Sequence, residues 1–259
     1  MKKAYIDLKR GQMHYRFAGN GDPVVMLHMS GNSSGEYEGS GNILAQKYSV
    51  YAVDLFGFGY SDKPEKYLSI QEHMDTIVEF MDALGISSAY LVGSLVGANI
   101  CARLAAQYPD RVKGLLLAHI CYNPDPNFYP SLRHADCFTQ KPPMDDGSHL
   151  QQIWDKVKVY GESAASNDVR ATYMHLAGPF LESMHWALCD DADFGDCLPT
   201  IKTPTVVVAF DIRPNGPMPE DAAKIIPNAK FEVMEGCSPL VTIAAPEKFA
   251  ALFNKYFNK

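Results

Sequence analysis

A basic excess is missing from this chain: 23 Lys and Arg stand against 30 Asp and Glu, a formal net charge of −7. Nucleic acids and anionic membrane surfaces are bound through a positive face, so neither is an expected partner. No apolar run approaches the roughly 20 residues of a membrane-spanning helix. Met1–Asp7 carries charge with no apolar stretch behind it, so no signal peptide is expected. The six cysteines, at 101, 121, 137, 189, 197 and 237, form no C-x-x-C pair. In a chain of 259 residues this reads as reduced thiols in the cytoplasm rather than a disulfide scaffold. His134, His149, His175 and His185 lack His-x-x-x-His spacing, so no metal is expected, and no cofactor either. Repeats and low-complexity segments are absent.

What is present is 47% apolar residues and enough length for one large α/β domain. At this size about three quarters of the unfolded surface can be buried, so the core needs no covalent staple. Residues 4–17 read as two short strands joined at Lys9-Arg10-Gly11. Pro23–His28 and Tyr48–Asp54 read as continuous runs, the pattern of strands buried on both faces, and Ala89–Val92, Gly114–Ile120, Thr205–Phe210 and Lys230–Met234 read as further strands. Ser69 and Glu72 form an S-x-x-E capping box ahead of Ile70, Met74, Ile77, Val78, Met81 and Leu84 at helical spacing, and Gly85 ends that helix. Further helices are expected through Ala98–Gln107 and Glu247–Phe257. Strands alternating with helices imply a mostly parallel sheet covered on both faces. Residues 122–200 break this rhythm, with both tryptophans, no convincing strand and helical patterns at Leu150–Tyr160 and Val169–Leu176. They read as a helical cap on a core of residues 1–121 and 201–259.

Three motifs occur in order along this framework. Leu27-His28-Met29-Ser30-Gly31 follows the third strand, Asp54-Leu55-Phe56-Gly57-Phe58-Gly59-Tyr60-Ser61 follows the fourth, and Gly93-Ser94-Leu95-Val96-Gly97 joins a strand to a helix. They resemble the H-G-x-x-G, D-x-x-G-x-G-x-S and G-x-S-x-G motifs of α/β-hydrolases. The resemblance spans essentially the whole chain. It implies an α/β-hydrolase fold and an oxyanion hole formed by the amides of Ser30 and Val96.

The resemblance also marks three triad positions, and none carries the family's residue. Leu95 stands where the elbow nucleophile belongs. After Phe210-Asp211-Ile212, Arg213 occupies the place of the acid. The histidine position falls on Cys237 or on Pro239, depending on the alignment, and no histidine follows His185. A Ser-His-Asp triad is therefore not expected.

Other groups then become candidates. Ser94 is a nucleophile only if the elbow slips by one residue; otherwise it is a small residue packed under the turn. His119 ends the strand after the elbow helix, near where related dehalogenases place a catalytic acid. Cys237 is a candidate nucleophile or acid if its thiol is activated. Asp211 is the carboxylate nearest the acid position, and Arg213 beside it is a candidate clamp for a ligand carboxylate. Leu95, Arg213 and His28 are the expected ligand contacts, although the histidine of that loop is usually structural. The expected ligand is a small organic molecule in an apolar cleft at the strand ends.

Three functional readings follow. The first is non-hydrolytic or otherwise atypical chemistry, such as C–C cleavage, decarboxylation, dehydration or cyclisation, over a retained oxyanion hole. The second is non-catalytic binding of a ligand or partner. The third is a weak esterase-like hydrolase using displaced residues such as Ser94.

Overall fold

The buried apolar runs become the centre of an eight-stranded sheet. The computed structural model describes residues 1–125, 127–131, 142–158, 163–191, 193–211 and 219–258. The strands are β1 Lys2–Leu8, β2 Gly11–Ala18, β3 Asp22–Leu27, β4 Tyr48–Val53, β5 Ala89–Ser94, β6 Val112–Ala118, β7 Thr205–Phe210 and β8 Lys230–Met234. Their order is β1-β2-β4-β3-β5-β6-β7-β8. The opening hairpin is antiparallel, with Leu8 opposite Gly11, and every pairing from β4 to β8 is parallel.

The helices are α1 Glu38–Leu44, α2 Ile70–Ala83, α3 Val96–Gln107, α4 Phe128–Ser131, α5 Ser148–Val157, α6 Ala164–Ala177, α7 Ser183–Cys189, α8 Phe194–Cys197, α9 Pro219–Ile225, α10 Val241–Ala244 and α11 Pro246–Phe257. The capping box at α2 is formed as expected: the Glu72 amide donates to Ser69 Oγ at 3.1 Å, and the Ser69 amide to Glu72 Oε2 at 2.9 Å. Two cores separate across the sheet because strand side chains alternate between faces. Leu91, Leu115 and Leu117 join α2 and α3 on one side; Val92, Leu116 and Val208 join Tyr37, Phe249 and Phe253 on the other.

Between β6 and β7 the described residues contain helices and no strand, as expected. This helical segment lies against the loops at the ends of β3 and β4. Leu181 and Met174 cover Gly31, and Phe180 covers Gly57. Arg103 of α3 ties the segment down through Asp191 and Asp193.

The sequence reading missed α1, whose run Glu38-Gly39-Ser40-Gly41-Asn42 holds two glycines and little apolar periodicity. Tertiary burial of Ser40, Gly41 and Leu44 forms this helix, not propensity.

Candidate functional site

The elbow is built by close packing that only glycine permits. A Cβ on Gly93 would lie 2.4 Å from the Gly97 carbonyl carbon, and one on Gly97 would lie 2.2 Å from the Leu27 carbonyl oxygen. These contacts press the start of α3 against the end of β3. The turn between them rests on Leu95, at φ 47° and ψ −112°. Such a conformation costs a non-glycine residue of order 1–3 kcal/mol and persists only when its surroundings impose it. The Leu95 amide donates to the Ala118 carbonyl at 2.8 Å, and the Leu95 carbonyl accepts from the Ala98 amide at 2.9 Å. Leu95 is half-buried. It presents an alkyl group with no proton or lone pair at the strand ends. Val96, next in line, is the first residue of α3, so its amide has no acceptor inside the helix and lies at the positive end of the dipole.

The loop after β3 faces this turn. Ser30 is half-buried and its hydroxyl donates to the Leu181 carbonyl at 3.4 Å. His28 is fully buried. Its Nδ1 bonds the Met29 carbonyl at 2.8 Å, and its Nε2 accepts from the Leu55 amide at 3.1 Å. That pattern fixes the Nδ1–H tautomer. Burial lowers the pKa of the ring, against a smaller upward pull from Asp54 and the Met29 carbonyl. With both nitrogens engaged, His28 clasps two loops together instead of making the ligand contact expected of it. Asp54 organises the next loop by accepting from the Tyr60 amide and from His14 Nδ1, each at 2.8 Å, and from the Ser34 amide. Burial pushes its carboxyl up, yet His14, His28 and these donors bring it below the ordinary carboxylate value.

Glu36 is the ionisable group that sequence reasoning missed. It lies on the 3₁₀ turn Ser34–Tyr37 and is 1% exposed. Its Oε2 accepts from Asn32 Nδ2 at 2.7 Å and from the Met29 amide at 3.2 Å. Burial raises its pKa to about 7; Asn32, Met29, Arg170 of α6 and the nearby Ser94 hydroxyl offset this only in part. Glu36, Asn32 and Ser94 are all buried, and the Ser94 hydroxyl and Tyr37 lie beside the Glu36 carboxyl. In the sequence nothing separates Glu36 from a surface acid in the Gly- and Ser-rich stretch Gly31–Gly35.

The remaining candidates are distributed differently. His119, 4% exposed with φ 54°, accepts at Nδ1 from the Phe210 amide at 3.0 Å and stacks on the Phe210 ring at 5.3 Å. Its neutral ring therefore carries hydrogen on Nε2. Asp211 accepts from the Gly236 amide at 2.9 Å and the Cys237 amide at 3.1 Å, so the two are brought together through the backbone of a turn. Cys237 is buried, with its Sγ 3.5 Å from the Glu235 carbonyl. Ser94 is fully buried, with its hydroxyl beside the Glu36 carboxyl on which Arg170 of α6 also acts. Arg213 lies outside the described residues. A concavity of about 430 Å³ lies between α5 and α6, lined by Leu150, Trp154, Asp168, Ala171, Thr172 and His175 rather than by the strand ends. Among the described residues no cluster of His, Cys, Asp and Glu is arranged to hold a metal, and no helix is long and apolar enough to cross a membrane.

A family model for the α/β hydrolase fold matches residues 22–134. Haloalkane dehalogenase 2 of Mycobacterium tuberculosis is 31% identical over 121 residues, 46% of this chain and 42% of that protein. The 2-(acetamidomethylene)succinate hydrolase of Mesorhizobium japonicum is 31% identical over 111 residues, 43% of this chain and 40% of that protein. An uncharacterized Mycobacterium tuberculosis protein is 32% identical over 103 residues, 40% of this chain and 30% of that protein. The chain thus spans about a third to two fifths of the length of the curated relatives it matches. The enol-lactonase of Burkholderia xenovorans superposes with a TM-score of 0.79 at 19% identity, over 99% of this chain and 100% of that one. A thermophilic esterase of Thermogutta terrifontis superposes at 0.79 and 18% identity, over 100% of this chain and 98% of that one. At those identities the likeness is one of fold.

Proposed function

Because this chain has the α/β-hydrolase fold, we propose that it binds a small organic molecule beneath the inserted helices and converts it without a covalent enzyme intermediate. The observation that carries this reading is Leu95, an alkyl side chain held in the strained turn where the family's chemistry places a nucleophile. The turn and its glycines are kept, so the amide of Val96, with that of Ser30, can hold a carbonyl oxygen as charge develops on it. The groups once in view as replacements are committed elsewhere. Asp211 holds a turn, His119 Nδ1 receives the Phe210 amide, and Ser94 is fully buried beside Glu36. The relatives' names, a haloalkane dehalogenase and a hydrolase of an acetamidomethylene succinate, favour a substrate cleaved by water over the rearrangements and decarboxylations also in view.

Kinetics on a panel of activated esters and lactones test the reading. Turnover is expected to be linear from the first cycle and retained in Ser94→Ala. A burst of one product per chain, lost in Ser94→Ala, would show a covalent intermediate on a displaced serine and defeat the proposal. The commitment of so many polar side chains to backbone amides favours one second reading, non-catalytic ligand binding. A ligand recovered unchanged from the purified chain, with no turnover on any member of the panel, would select it.

A further inference from the structure

The sheet ends on β8. Among the described residues only β7 pairs with it, so the backbone groups of β8 that point away from β7 meet no strand. An exposed edge of this kind is a template for another strand unless charge, proline or a covering segment blocks it. β8 carries two exposed apolar side chains instead: Phe231 is 37% exposed and Val233 46%. Phe231 pairs with Val207, on the sheet face that holds Ala222 of α9, and Val233 shares that face two residues on. Lys230, Glu232 and Met234 lie on the opposite face, where Glu232 accepts from Lys255 Nζ and the Tyr256 hydroxyl of α11. The other edge, β1, turns its side chains back onto its own molecule. Tyr5 meets the His14 ring edge-on at 5.1 Å, Lys3 Nζ lies 6.0 Å from the Tyr60 ring centroid, and Asp7 accepts from Gln12 Nε2 at 2.9 Å.

We propose that β8 pairs, antiparallel, with β8 of a second copy of this chain, about a two-fold axis that passes at Phe231. A two-fold perpendicular to the sheet continues each face of one copy into the same face of the other. Charge complementarity selects the register. Centred on Glu232, the pairing sets Glu232 against Glu232; centred on Lys230, it sets Lys230 against Lys230. Like charges directly opposite are destabilising. Centred on Phe231, it sets Lys230 of each copy against Glu232 of the other, and does so twice. The same register puts Phe231 beside its own counterpart and Val233 beside Ala229, so both exposed apolar side chains are covered. It also ends where the chain ends its strand: Asn228 has φ 59°, and Pro227 before it has no N–H to give. Each copy carries a net charge of −7, so two copies repel at long range and a contact between them needs matched charges of its own. The two Lys230–Glu232 pairs supply them.

Sedimentation velocity of the wild-type chain over a dilution series should show a reversible dimer. Lys230→Glu sets like charges opposite at both ends of the pairing and should weaken the dimer about tenfold or more; Glu232→Lys should do the same with the sign reversed. Mixing the two variants should restore the dimer, since each then meets the opposite charge at both positions. Phe231→Cys should cross-link to its own counterpart under mild oxidation, because directly opposed residues of antiparallel strands lie within disulfide reach. The wild-type chain, oxidised alongside, controls for its native thiols. Should Glu232→Lys fail to fold without its contacts to Lys255 and Tyr256, Lys230→Glu and the cross-link decide the matter. A wild-type chain that is monomeric at every concentration, leaving β8 to a strand of a different protein, would overturn the proposal. So would a dimer that Lys230→Glu leaves intact, or a Phe231→Cys chain that forms no cross-linked dimer.

Discussion

At the scale of single residues, two side chains stand where ordinary preferences forbid them. Glu36 is a carboxyl in the protein interior whose pKa rises from 4.5 to about 7. The folded state therefore holds a proton that the unfolded chain releases once the pH exceeds its ordinary value. Stability from this group is full below that value and is lost as pH rises through the folded pKa, by about 3 kcal/mol in all. Glu36→Gln keeps the shape and stays neutral. Chemical denaturation should find it close to wild type at acidic pH and more stable above neutrality; equal stability across the range would mean that Glu36 is not held neutral. Leu95 is the second case. Leu95→Gly relieves the φ penalty while giving up a half-buried side chain, so its cost should be under about 1 kcal/mol. Leu91→Ala, in a fully buried strand position, should cost about 2–5 kcal/mol in the same measurement.

At the scale of elements, the strands and α2 were legible because their signals are local. The segments read as strands ended within a residue or two of the observed ones, and the Ser69–Glu72 box fixed the start of α2. Ser69→Ala should lower stability by about 1 kcal/mol in thermal or chemical unfolding, with no change in the loops at the strand ends. The loops were legible as motifs but not as physics. The sequence could place Asp54 in a D-x-x-G-x-G pattern, yet only the structure shows its carboxylate gathering His14, Tyr60 and Ser34 into one knot. Asp54→Ala strands these buried donors, so a loss of about 3–5 kcal/mol is expected, with increased amide exchange across residues 55–61. Glu36 was illegible for a related reason. Its neighbours include Arg170 of α6 and Ser94 of β5, which are remote in sequence, and no local pattern in Gly31–Gly35 encodes that cover. His119 and Asp211 were legible as polar residues at strand ends, but not their engagement by the Phe210, Gly236 and Cys237 amides.

At the scale of the whole molecule, the fold and the side chain at the turn belong to different layers of the sequence. The sheet follows from where apolar residues fall, and the elbow follows from two glycines that its packing cannot replace. Neither depends on what residue 95 carries. A leucine can therefore sit at φ 47° without loss of the architecture. That division is the central claim, and covalent labelling tests it most directly. After prolonged exposure to a fluorophosphonate, intact-mass spectrometry of the wild-type chain should show no adduct. A stoichiometric adduct on the folded chain, mapped to Ser94 and lost in Ser94→Ala, would contradict it.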